Sequence, residues 1–159
     1  MIEMAAFLSI NSDYQHTGVR SLRFGSLAQA RNCFNSPLQQ VTDERDRSVL
    51  HNEFGDVLMA EGQLQDARSE FAASLAIAER LAAAEPGNAE WQRDLSVSHE
   101  RLGDLAEQAG DLAEAIACYR KSEPIAAALA AKSPDHPGFR NDLAITRRRI
   151  ATREAKAGG

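Results

Sequence analysis

The sequence predicts an all-α fold built from repeated antiparallel helical hairpins, and three observations predict it. Alanine is abundant while aromatic residues make up only 6%, which favours helices packed through small side chains over a β-sandwich. The segment "RDRSVLHNEFGDVLMAEGQLQDA" from Arg45 returns as "RDLSVSHERLGDLAEQAGDLAEA" from Arg93, an offset of 48 residues, and self-similarity at a fixed period marks a repeat architecture. Within a copy, Val49, Leu50, Phe54, Val57 and Leu58 keep the 3–4 spacing of an amphipathic helix.

The offset pairs His51 with His99, Gly55 with Gly103, Gly62 with Gly110, Ala67 with Ala115, Leu81 with Leu129 and Pro86 with Pro134. It also carries Trp91 onto Phe139 and Asp94-Leu95 onto Asp142-Leu143. The chain therefore divides, as one domain over 1–159, into full repeats at 43–90 and 91–138 and a half-repeat, read as a C-terminal capping helix, at 139–157. A degenerate first hairpin over 1–42 precedes them, its "GSLAQARNCF" from Gly25 matching "GQLQDARSEF" from Gly62. That makes about three hairpins plus the cap.

Each first helix is expected to stop at Gly62 or Gly110. The second helix of a repeat begins at "GDLAEA", where Asp111 and Glu114 have the spacing of a capping box. It continues through Leu112, Ala115, Ile116 and Tyr119 to Ile125, Ala126 and Leu129, and "EPGNAE" and "SPDHPG" supply the turns. Pro124 is expected to kink its helix. Gly55 and Gly103 lie inside helices, where glycine costs about 1 kcal/mol relative to alanine. Each precedes a small residue, Ala67 or Ala115, by twelve positions, which predicts two small residues facing each other across a close helix pair.

Composition excludes several function classes. A formal charge of −5 is not that of a protein that wraps nucleic acid. No apolar run approaches the roughly 18 residues of a membrane span, and the start "MIEMAAFLSINSD" lacks the basic flank of a signal peptide. Cys33 and Cys118 are far apart and form no CxxC pair, so a reducing, cytoplasmic setting is expected. His99-Glu100 invites a metal or acid/base reading. A zinc-protease helix, however, needs a second histidine four residues on, where this chain has Gly103. No phosphate loop or nucleophile motif appears, and no catalytic residue, metal or cofactor is expected.

Charge is unevenly placed. Residues 43–138 carry 19 acidic and 9 basic side chains, a net of −10, while 139–159 carry 6 basic and 2 acidic, a net of +4. The run "TRRRIATREAK" is read as the dipole-matched end of a last helix in preference to a nucleic-acid patch. Arg147, Arg148 and Arg149 then stand to neutralise the acidic unit before them, or that of another molecule.

Leu102-Gly103, Ala115 and Tyr119, repeated as Phe54-Gly55, Ala67 and Phe71 and more weakly as Gly18, Ala30 and Phe34, resemble the tetratricopeptide repeat over residues 12–157. Ser74 and Ser122 stand where that family usually has alanine. The period of 48 exceeds the family's usual length of about 34 by about four helical turns, two for each helix. This long-repeat variety looks like arrays found in bacterial multidomain proteins.

The resemblance implies a right-handed superhelical array, an α-solenoid, with a concave surface lined by the first helices. In the family, contacts come from positions six and three before the helical glycine and one and four after it. Here these are Val49, Asn52, Asp56 and Met59, then Val97, Glu100, Asp104 and Glu107. Ile145, Arg148 and Thr152 extend the surface, and Gln15, Val19 and Leu22 open it. The implied function is a non-catalytic scaffold whose acidic groove takes a basic or amphipathic segment of a protein partner, with neither nucleic acid nor membrane as ligand. The alternative is a self-association element forming homo-oligomers. A metal-binding or enzymatic protein is the remote third reading.

Overall fold

The structure, a computed structural model, describes residues 43–158. The hairpin expected over 1–42, with Gln15, Val19, Leu22 and Cys33, lies outside the described residues. Five helices follow one another: α1 (Glu44–Ala60), α2 (Leu64–Ala84), α3 (Ala89–Gln108), α4 (Leu112–Lys132) and α5 (Pro137–Ala157). Each packs on the next, and α1 also touches α3. Among the described residues there is no strand. At 17 to 21 residues the helices run about five to six turns.

Local chemistry sets their ends. The Asp43 side chain accepts from the amides of Arg45 and Asp46, Asn88 from Glu90 and Trp91, and His136 from Phe139. Asp111 accepts from the Glu114 amide at 2.9 Å, giving the expected cap of α4. Asn88 and His136 are one period apart, and their caps start α3 at Ala89 and α5 at Pro137. The sequence-drawn boundaries at 90/91 and 138/139 therefore fall just inside those helices. At the C-termini of α1 and α3, Gly62 and Gly110 take positive φ values of 79° and 84°. Gln63 N–H returns to Leu58 C=O and Gly62 N–H to Met59 C=O, and the same pair of bonds recurs from Asp111 and Gly110. These are Schellman stops, which need the left-handed residue that glycine supplies. The helix α4 runs unbroken through Pro124, so the missing N–H there ends nothing.

The apolar core joins Leu50, Phe54, Val57 and Leu58 of α1 to Ala67 and Phe71 of α2 and Leu105 of α3. A second cluster joins Ala106, Ala115, Tyr119 and Ile150. The interior glycines serve these clusters in a way that differs from expectation. A Cβ built on Gly103 would lie 2.7 Å from Tyr119 Cε1, and one on Gly55 would overlap the Phe71 ring in the same way. The glycine thus makes room for the aromatic ring one turn beyond the alanine, and the alanine is not its nearest neighbour. Physically, the larger group dictates where the notch must be. Phe71 and Tyr119 are both 0% exposed.

Between the apolar layers the helices are joined by hydroxyls. Ser48 and Ser74 approach to 2.8 Å, as do Ser96 and Ser122 one period later, and all four are buried. Guanidinium–carboxylate steps link successive first helices: Arg45 to Asp94 at 2.7 Å and Arg93 to Asp142 at 2.8 Å.

Gly55→Ala and Gly103→Ala are expected to destabilise the protein by about 1–3 kcal/mol in urea denaturation, because overpacking against a buried ring outweighs the gain in helix propensity. Gly87→Ala, which meets nothing within 4 Å, is expected to leave the midpoint nearly unchanged.

Candidate functional site: the acidic face of α3

The acidic row read from sequence, Glu100, Asp104 and Glu107, occupies one side of α3, with spacings of four and three that keep the three carboxylates on one face. The structure brings α5 against it. Arg149 Nη1 lies 3.3 Å from Glu100 Oε2 and 3.4 Å from Asp104 Oδ1. Arg153 holds Glu107 Oε2 through Nη2 at 2.6 Å and Nε at 3.0 Å, and its guanidinium keeps the Glu107 carboxyl below the usual range. Beneath them lies Tyr119 of α4. Its hydroxyl donates to Asp104 Oδ1 at 2.7 Å, and the Arg149 and Arg153 guanidinium carbons sit 5.5 and 5.7 Å from its ring centroid, within cation–π range. Burial and the Asp104 bond push the phenol well above its ordinary value. Glu100 is the inner anchor: its Oε1 accepts from Ser122 at 3.1 Å and from Thr146.

The corresponding positions of α1 are less well satisfied. Asp56 is the repeat equivalent of Asp104, and its Oδ2 meets Arg101 Nη2 at 3.1 Å. At the repeat position of Tyr119 the first hairpin has Phe71, which has no hydroxyl, and Asp56 Oδ1 is buried without a hydrogen-bond partner. Burial pushes the Asp56 carboxyl up to about 6, with Arg101 opposing and Asp104 adding to the rise. Glu53, one turn earlier, is pushed up to about 7 by burial and by the Asp56 charge. Asn52, equivalent to Glu100, has a buried, unpartnered Oδ1.

The remaining predicted residues are spread along the first helices. Val49 is 37% exposed and Met59 packs half-buried against the core. Val97 lines a cleft of about 30 Å³ with Glu100, Leu129 and Phe139, far short of the roughly 300 Å³ of a small-molecule site. Ile145 is half-buried, while Arg148 and Thr152 are exposed, the Thr152 hydroxyl bonding back to the Arg148 carbonyl at 2.8 Å.

Of the basic run, Arg147 pairs with Glu123 at 2.9 Å and Arg149 with the acidic row. It is thus Arg147 and Arg149, together with Arg153, that neutralise the preceding unit, while Arg148 faces outward. Sequence reasoning missed Arg153 and the hydroxyl layer. The recurrence of Ser48 at Ser96 and of Ser74 at Ser122 was the available signal for the latter.

The other chemical candidates are engaged or inert. Glu100 is committed as above, so it forms no unit with His99, whose imidazole burial holds below its ordinary value. His51 Nδ1 sits 2.7 Å from Glu70. Burial pushes the Cys118 thiol up, the opposite of what a reactive thiolate needs. Among the described residues no group of three or more His, Cys, Asp or Glu is placed to hold a metal ion, and no helix is long and apolar enough to cross a membrane.

Phe71→Tyr is expected to supply Asp56 with the hydroxyl that Asp104 already has, stabilising the fold by about 0.5–1.5 kcal/mol. The raised Asp56 value means that ionisation costs the folded state nothing below about pH 4 and its full amount above about pH 6. The gain from the substitution is therefore expected to be largest near pH 8 and to fade toward pH 4, read from denaturation curves at both. Comparison of the chain with protein-family models, with curated proteins and with solved structures finds no match.

Proposed function

We propose that this chain is a non-catalytic helical-repeat scaffold of solenoid type, whose first helices together bind a basic or amphipathic segment of a protein partner. One observation carries the reading: the acidic face of α3 already grips a helix-borne arginine pair, with Glu100 and Asp104 on Arg149 and Glu107 on Arg153. A face that satisfies two guanidiniums and a ring between them has the chemistry of arginine recognition. The neighbouring positions add an apolar contact at Val49, 37% exposed, and polar ends at Arg148 and Thr152. Self-association through pairing of the acidic middle with the basic tail is less supported, because Arg147, Arg149 and Arg153 are bonded within one chain.

Affinity capture from native lysate tests the reading. Val49→Lys places a like charge beside any basic ligand at a site outside the core. It is expected to lose the partner retained by the unsubstituted chain while keeping the same helical circular dichroism. Undiminished capture of the same partner by this variant would reject the groove.

A further inference from the structure

The helix α5 differs from its neighbours in what holds it. The junction of α1, α2 and α3 buries Leu50, Phe54, Val57, Leu58, Phe71 and Leu105, whereas α5 buries only Phe139, Thr146 and Ile150. Its other attachments are polar: Asp142 to Arg93, Arg147 to Glu123, Glu154 to Arg120, and the Arg149 and Arg153 contacts to the acidic row. Apolar burial resists salt, but ion pairs that keep partial access to water are screened by it. Arg149 and Arg153 retain 28% and 20% side-chain exposure. On the side away from α3 and α4, Asn141, Ala144, Arg148, Ala151 and Thr152 are exposed.

We propose that α5 is a displaceable resident of the acidic face. It opens from α1–α4 as a unit, and the face it leaves receives a partner helix carrying two arginines four residues apart with a hydroxyl three residues before the first. That pattern is α5's own, Thr146, Arg149 and Arg153, each of which has an acceptor on Glu100, Asp104 or Glu107. Arginine is favoured over lysine, because both guanidiniums lie over the Tyr119 ring and that of Arg153 meets Glu107 through two nitrogens at once, whereas an ammonium presents a single point charge. The partner half of this proposal rests on the functional reading above; the opening of α5 does not.

Native-state hydrogen exchange on the full chain tests the opening. Amides of α5 are expected to open with an equilibrium constant at least about tenfold above those of α3 and α4, rising a further ~3–10-fold between 50 and 500 mM NaCl. One opening constant shared by α3, α4 and α5 overturns the proposal. The probe for the face is a labelled synthetic peptide of residues 137–157, titrated into the chain by fluorescence anisotropy. The double variant Arg149→Gln/Arg153→Gln is expected to bind it about tenfold more tightly than the unsubstituted chain, because its own α5 no longer competes. A peptide with lysine at both arginine positions is expected to bind the double variant about tenfold more weakly than the arginine peptide.

Equal binding by the two chains, equal binding of the two peptides, or loss of exchange protection throughout α1–α4 in the double variant each overturns the proposal. Failure of the peptide arm alone, with α5 opening as expected, removes the arginine receptor and the functional reading with it. Failure of the exchange arm alone leaves that reading standing.

Discussion

An aromatic ring seated on a glycine sets the geometry of each hairpin. Phe71 over Gly55 and Tyr119 over Gly103 are both completely buried, and neither glycine tolerates a methyl group without moving its ring. Because the ring meets the backbone directly, the two helices of a hairpin are held in register as well as in contact. That register brings Ser48 opposite Ser74 and Ser96 opposite Ser122, about one turn past the ring on its own helix, where a hydroxyl pair satisfies itself in a layer with little water. It also sets the Tyr119 hydroxyl beside Asp104, to which it donates at 2.7 Å, while the first hairpin has Phe71 at that position. The polar chemistry of the α3 face is therefore a consequence of an apolar packing choice.

The two hairpins share this frame and differ in what they place on it. At the ring, phenylalanine gives way to tyrosine. Three residues before the glycine, Asn52 becomes Glu100. The first hairpin is left with an unpartnered Asp56 Oδ1 and Asn52 Oδ1. The second has a carboxylate that collects Ser122, Thr146 and Arg149, and a phenol that donates to Asp104. Stability in the α1–α2 pair comes mainly from Leu50, Phe54, Leu58 and Phe71. In the α3–α5 region it comes to a larger extent from charge-assisted bonds whose strength depends on ionic conditions.

Much of this was legible in the sequence because it repeats. The period of 48 located the helices, and Gly62 and Gly110 marked their stops because a left-handed terminal residue leaves a glycine signature. The role of Gly55 and Gly103 was anticipated only in part. Spacing along the chain identified a small residue twelve positions on, but the ring that fills the notch is sixteen on, and only the crossing of the two helices decides which comes closest. The acidic row was visible as residues but not as bonds. A carboxylate at helical spacing reads as a solvated charge until a neighbouring helix is known to bring a guanidinium to it. Arg153 gave no such signal, since its repeat equivalent is Leu105, a core residue. Replacing a buried leucine by an arginine makes sense only where the helix lies over Glu107 and Tyr119.

That replacement also shows why α5 is a different kind of helix. The ion-pair steps between first helices run from Asp56 to Arg101 and from Asp104 to Arg149, each carboxylate receiving an arginine from the next helix. The positions of α5 that would continue the series are Arg148 in place of Glu100 and Thr152 in place of Asp104. Both acceptors are gone, so no arginine of the same design has a carboxylate to meet on α5. At the glycine position α5 carries Ala151, whose methyl group occupies the notch that Phe71 and Tyr119 require in the earlier hairpins. The helix α5 therefore lacks both the notch and the carboxylates that join the earlier first helices to their neighbours. Its hold on α3 and α4 comes from Phe139, Ile150, the Thr146 bond to Glu100 and the ion pairs of Asp142, Arg147, Arg149, Arg153 and Glu154, and Arg149 and Arg153 sit on the carboxylates most suited to recognising another basic helix.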